Sequence, residues 1–201
     1  MKRKILLHTC CGPCASACVP RLQELGYEVV MYFSNSNIDT EEEFDKRLQA
    51  AQKLAANDGV EIAFEKYDHA EWLREVAAGF EREPEKGRRC DRCFYYNLKK
   101  AARYALREGI ELFTSSLTVS PHKISPRVFS AGNQVAGESA VAFLEENFKK
   151  REGFKRSLIR SAQLGLYRQD YCGCEFSKNR VKIDANIPVT QQGVLDKKPQ
   201  I

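Results

Sequence analysis

The chain has 201 residues, of which 29% are charged and 43% hydrophobic, and it carries a formal net charge of +5. That balance excludes a disordered, low-complexity or membrane-spanning chain and fits one globular domain with a substantial core. The first apolar run, Ile5-Leu6-Leu7, is too short for a signal-peptide core or a membrane span, so a cytoplasmic chain is expected. In a reducing compartment its eight cysteines point to metal or redox chemistry rather than to structural disulfides.

In chain order, residues 4–9 read as a short buried strand, and a Gly-Pro turn leads into a helix over 15–25 that stops at Gly26. A second strand is expected over 28–33. It ends at the polar run Ser34-Asn35-Ser36-Asn37, after which Thr40 and Glu43 form an N-cap pattern opening a helix to about residue 57. Residues 61–65 are a third strand and 70–78 a helix, and a charged loop over 80–89 leads to a helix over 91–108. Strand four falls at 112–115, a helix runs from Pro121 to about 136, and strand five lies at 141–144. The tail over 188–201 is polar and without a period. Strands alternating with helices predict a single α/β domain with a parallel, doubly wound sheet of five strands and a C-terminal helical extension from about residue 148. Ligands of such sheets sit beyond the carboxyl ends of the strands, which places residues 9–14, 34–37 and 115–123 along one rim.

That rim carries the chemistry. His8-Thr9-Cys10-Cys11-Gly12-Pro13-Cys14 sets three thiols at a strand-to-helix turn, where a core has no use for them, whereas Cys18, one helical turn after Cys14, reads as packing. Cys90-Asp91-Arg92-Cys93 opens a helix whose free N–H groups and dipole favour thiolates. Cys10, Cys11, Cys90 and Cys93 together supply four thiolates, a set that suits structural zinc or an iron–sulfur cluster. Lys86, Arg88, Arg89 and Arg92 stand ready to offset the negative charge of such a centre. Cys172-Gly173-Cys174 is a separate pair; a disulfide across one residue is strained and easily reduced, suiting electron relay or thiol exchange, while two further metal ligands or two idle thiols are the alternatives. The run from Thr114 to Lys123, which ends in Ser120-Pro121-His122-Lys123, follows strand four and offers hydroxyls and a lysine to a phosphate or ribose. His69 and Trp72 read as ordinary surface and packing residues, and the lysines and arginines from Lys149 to Arg160 as a surface for a phosphate backbone or a solvated helix face.

Taken together, His8–Cys14, Cys90–Cys93, Ser120–Lys123 and Tyr171–Cys174, in this order, resemble the QueH family of epoxyqueuosine reductases over about residues 4–180. The resemblance implies a fold similar to the adenine-nucleotide hydrolases and PP-loop ATPases (the HUP class), with residues 1–187 as one iron–sulfur domain. It implies reduction of epoxyqueuosine to queuosine at the tRNA wobble position, with a [4Fe–4S] cluster on Cys10, Cys11, Cys90 and Cys93 and a redox-active pair at Cys172 and Cys174. Its partners are then a tRNA bearing epoxyqueuosine and an external electron donor, and no membrane. Opening an epoxide to an alkene takes two electrons and two protons, so one cluster needs a second redox group: the Cys172/Cys174 pair, or an additional iron on spare ligands such as Cys14 or Asp91. Tyr167 and Tyr171 are candidates to stack on the bases of an anticodon loop. Two other readings compete. An ATP-dependent PP-loop tRNA-modifying enzyme requires a glycine- and serine-rich loop where Thr9-Cys10-Cys11-Gly12-Pro13 stands. A zinc-stabilised RNA-binding module requires zinc in place of iron.

Overall fold

The computed structural model describes residues 2–180, with side chains to residue 178, so the polar tail over 188–201 lies outside the described residues. Five strands form one sheet: β1 (Lys4–His8), β2 (Glu28–Phe33), β3 (Glu61–Phe64), β4 (Leu112–Ser115) and β5 (Ala142–Phe143), in the order β3-β2-β1-β4-β5 and parallel at every pairing. Alternation along β1 divides the core. Ile5 and Leu7 face one layer with Met31 and Phe33, and Leu6 faces the other with Tyr32 and Phe113. Helices α1 (Gly12–Glu24), α2 (Glu41–Asp58) and α6 (Gly153–Gln163) cover the first face; α4 (Arg88–Arg107) and α5 (Ser125–Gly137) cover the second.

The chain steps outward from β1 to β3 and then returns to place β4 on the other side of β1. The crevice where the order reverses opens at the carboxyl ends of β1 and β4, the usual ligand position of such sheets. Backbone and side chain close its floor: the Cys10 N–H donates to Ser116 Oγ at 3.0 Å, and His8 Nδ1 lies 2.9 Å from Ser115 Oγ.

Helix boundaries shift from the sequence expectation for local reasons. Proline is tolerated in the first turn of a helix, so α1 starts at Gly12 and not at residue 15. Gly12 is required there because a Cβ would stand 2.5 Å from the Ala50 carbonyl oxygen of α2. Thr40 caps α2 as its pattern predicts, its hydroxyl accepting from the Glu43 N–H at 3.2 Å. The start of α4 moves forward to Arg88, whose N–H finds Glu83 Oε2 at 3.1 Å.

The single helix expected over 70–78 is instead a short α3 (His69–Trp72) followed by a π-helical turn, Leu73–Ala77. Arg92 explains the wide turn: its guanidinium takes the Glu75 and Val76 carbonyls at 2.6 and 3.2 Å. Trp72, 1% exposed, anchors the turn beneath Cys93, Cys174 and Phe176. Among the described residues no helix is long and apolar enough to cross a membrane.

Candidate metal centre

Cys10, Cys11 and Cys14 converge at the β1–α1 turn, their sulfurs all within 4.8 Å of one another. The turn brings Cys10 and Cys11 out of the strand, and the first helical turn returns Cys14 to the same spot. Ser116 Oγ donates to Cys10 Sγ at 3.3 Å, and Cys11 is fully buried. Hydrogen bonds from the Cys10 and Cys14 thiols hold the Cys11 thiol well below its ordinary value, whereas hydrogen bonding with Cys10 and Cys11, followed by burial, pushes Cys14 well above it. Cys18 points its sulfur at the Cys14 carbonyl, 3.4 Å away, and is 0% exposed; it is a packing residue, as its helical position predicts. His8 is fully buried, and burial lowers it to about 4, so it is a neutral imidazole beneath the cradle at neutral pH.

A second group of thiols comes from α4 and the loop after α6. Cys90 and Cys93 lie in the first two turns of α4, and Cys172 and Cys174 adjoin them. The Lys86 N–H donates to Cys90 Sγ at 3.2 Å and the Asn97 amide to Cys93 Sγ at 3.5 Å. Burial, followed by the neighbouring cysteines, raises the Cys93 thiol; burial and Cys172 push Cys174 up to about 11. Lys123 Nζ sits 2.7 Å from Cys172 Sγ. Burial works against the Lys123 ammonium, but Cys172, then Cys90 and Cys93, more than offset it and its pKa is raised. All eight cysteines are free thiols, so Cys172 and Cys174 stand here as a dithiol.

A cavity of about 820 Å³ joins the two groups, lined among others by Cys10, Cys11, Cys14, Cys93, Lys123 and Cys172. All three sheet-rim segments expected there contribute to it: Cys10 to Cys14, Asn35 and Asn37, and Ser120 to Lys123. The geometry gathers Cys10 and Cys11 most tightly with Cys14, and Cys90 and Cys93 with the Cys172/Cys174 pair.

Several expectations change. Arg89, 2% exposed, spends one nitrogen on the Phe80, Glu81 and Glu83 carbonyls, Arg92 faces the π-helical turn, and Arg88 pairs with Glu83. Arg88 and Arg89 therefore shape the loop before α4 and Arg92 the π-helical turn, while the Arg89 charge still favours the thiolates of Cys90 and Cys174, as expected. His69 is not a surface residue: it stacks between Tyr67 and Trp72, with Nδ1 2.9 Å from the Ser36 carbonyl oxygen. Tyr171 is engaged internally, its hydroxyl donating to Asp39 at 2.8 Å, while Tyr167 stays 39% exposed with its hydroxyl on Glu43. Arg160 turns inward to the Ser16 carbonyl and Asp58, and Lys149 to the Lys123 carbonyl.

Two residues escaped the sequence reading. Arg47 lies within the apolar stripe Phe44, Leu48 and Ala51 of α2, a misplaced charge that signals a buried partner. Asn97 follows Cys93 by four residues on the same helix face, the spacing that brought it to the sulfur.

The cradle fits a thiolate-bound metal on the chemistry of its donors. Three thiols this close cannot all ionise against one another, and only Cys11 is eased toward the thiolate; a cation among them removes that penalty. Cys10, Cys11 and Cys14 can therefore hold metal.

The fold is similar to two solved structures. One is the U34-tRNA thiolase NcsA from Methanococcus maripaludis with its [4Fe-4S] cluster, with a TM-score of 0.56 and 13% identity; the match covers 88% of this chain, which spans 61% of the thiolase. The other is a predicted subunit of tRNA methyltransferase from Methanocaldococcus jannaschii, with a TM-score of 0.53, 12% identity, and 80% and 74% of the two chains covered. These likenesses show a shared α/β fold and nothing further. Among curated relatives, "Epoxyqueuosine reductase QueH" of Streptococcus pyogenes is 35% identical over 190 residues, 92% of this chain and 74% of the relative. The protein of the same name from Dehalococcoides mccartyi is 36% identical over 179 residues, 89% and 94% of the two chains. The family model described as "Epoxyqueuosine reductase QueH" matches residues 5–180, a span that includes all eight cysteines. The chain belongs to the epoxyqueuosine reductase QueH family.

Proposed function

We propose that this protein reduces epoxyqueuosine to queuosine at the wobble position of tRNA, removing the epoxide oxygen as water. The observation that carries the reading is the match to the family over residues 5–180 together with the thiol cradle at the sheet's switch point. The assignment of cluster ligands is part of the proposal: Cys10, Cys11, Cys90 and Cys93 hold a [4Fe–4S] cluster. Of the spare donors, Asp91 is clasped by Arg127, which leaves Cys14 as the donor for an additional iron.

A bound cluster supplies electrons singly. The reaction needs two electrons and two protons, and the Cys172 and Cys174 thiols carry both pairs, becoming a disulfide that an external reductant reopens. Lys123 holds Cys172 Sγ at the cavity wall, and the cavity of about 820 Å³ is large enough for a splayed nucleoside. The exposed cations at the start of α6, Lys155 and Arg156, are offered to the phosphate backbone of the anticodon arm.

The test is nucleoside analysis after anaerobic incubation with epoxyqueuosine-tRNA and a reductant. Wild-type protein yields a wobble nucleoside one oxygen lighter over many turnovers. The Cys172→Ser/Cys174→Ser double variant keeps its iron and sulfide but stops after at most one event. Unchanged nucleoside with wild-type protein contradicts the function, loss of iron in the double variant makes the pair metal ligands, and undiminished turnover makes it idle.

A further inference from the structure

The loop that carries Cys172 and Cys174 has no regular secondary structure, yet it is fixed from one side by a buried cation. Arg47, whose side chain is 2% exposed, donates from Nε to Glu43 at 2.7 Å, from Nη1 to the Cys172 carbonyl at 3.0 Å and from Nη2 to the Tyr171 carbonyl at 3.4 Å. The Tyr171 ring lies over the same guanidinium, 5.0 Å from centroid to carbon. Gly173 completes the fit: its φ of +139° disfavours any side chain, and a Cβ there would stand 3.2 Å from Arg47 Nη1. The Asp39 N–H binds the Gly173 carbonyl at 3.0 Å, tying the loop to the segment before α2 as well.

Burying a guanidinium is costly, and even a well-paired buried ion is often no more stabilising than an apolar residue of the same size. All three Arg47 nitrogens are nonetheless satisfied, two of them by backbone oxygens of the cysteine loop. A planar fork can hold two successive carbonyls at once, which a lysine ammonium does poorly. On the opposite side Lys123 holds the Cys172 sulfur.

We infer that Arg47 is a positioning residue: it fixes the Cys172 backbone so that the sulfur is presented to Lys123 and the cavity. It lines the cavity, but its hydrogen bonds go to Glu43 and to the carbonyls of Tyr171 and Cys172, so it acts through Cys172. The inference rests on the proposed function only for its kinetic consequence; the placement of Cys172 can be read independently.

The experiment uses anaerobic holoprotein with Arg47→Lys, Arg47→Met and Gly173→Ala, the last pressing on the same contact from the loop. Cys172 alkylation by iodoacetamide, located by peptide mass, is followed alongside kcat, KM for epoxyqueuosine-tRNA, iron per chain and the unfolding midpoint. Leu54→Ala, in the buried far half of α2, is the control for simple destabilisation. Expected is a rise in Cys172 alkylation of about tenfold in Arg47→Met, a smaller rise in Arg47→Lys and Gly173→Ala, and none in Leu54→Ala. At equal iron content kcat falls about 10- to 100-fold with KM unchanged, the cost of misplacing a reacting group by about 1 Å. Should Arg47→Met fail to fold, the other two substitutions decide. Alkylation at the wild-type rate in the folded variants, or the same rise in Leu54→Ala, overturns the inference. Wild-type protein that alkylates as expected but leaves epoxyqueuosine intact overturns the proposed function and not the role of Arg47.

Discussion

Cys14 and Cys18 are four residues apart on one helix, and their surroundings give them opposite characters. Cys14 closes a triangle of sulfurs with Cys10 and Cys11, while Cys18 is sealed in the core. Serine at Cys10, Cys11, Cys90 or Cys93 is therefore expected to abolish normal cluster assembly, and Cys18→Ala to retain it, as iron and sulfide analysis of the five variants will show. Full iron and sulfide in all four serine variants would remove the ligand assignment. The three-thiol turn was legible because its cysteines are adjacent in sequence. Arg47 was legible only in part: a charge within the apolar stripe of α2 signals a buried partner, but the partners themselves, the carbonyls of Tyr171 and Cys172, lie far along the chain. From the sequence Lys123 is a candidate phosphate or ribose ligand; only the folded chain brings it to a sulfur.

At the scale of elements, caps decide what the sequence shows clearly. Thr40 Oγ1 holds the Glu43 N–H at the start of α2, the helix that also carries Arg47. Thr40→Ala should lower unfolding stability by about 1 kcal/mol, measured by urea denaturation. A loss near zero would mean that the acidic first turn alone anchors the helix. Strand β2 was legible to the residue because its apolar run Val29 to Phe33 is bounded by Glu28 and the polar Ser34, and β4, Leu112 to Ser115, because it follows the helix stop at Gly109. The helix expected over 70–78 does not form as one element because its pitch is set from outside, by the Arg92 guanidinium on the Glu75 and Val76 carbonyls. Gly12 illustrates the same limit. Its spacing marks a turn, but its requirement comes from the Ala50 carbonyl of another helix, and Gly12→Ala should cost about 1–3 kcal/mol in the same denaturation experiment.

Over the whole molecule, the order β3-β2-β1-β4-β5 places every thiol-bearing segment within reach of one crevice. Alternating strands and helices made that architecture readable, whereas the division of the basic stretch after Phe148 was not. Arg160 and Lys149 turn inward, leaving Lys155 and Arg156 outward. Replacing Lys155 and Arg156 by Ala should flatten the salt dependence of tRNA affinity, by about one unit of log–log slope for each phosphate no longer neutralised. An unchanged slope would move the RNA surface to another face.

If the thiols at the crevice house an iron–sulfur centre that drives epoxide reduction, the metal content of the anaerobically purified full chain must reflect it. Expected is a brown protein with at least about four irons and four acid-labile sulfides per chain. Stoichiometric zinc with neither iron nor sulfide would contradict it.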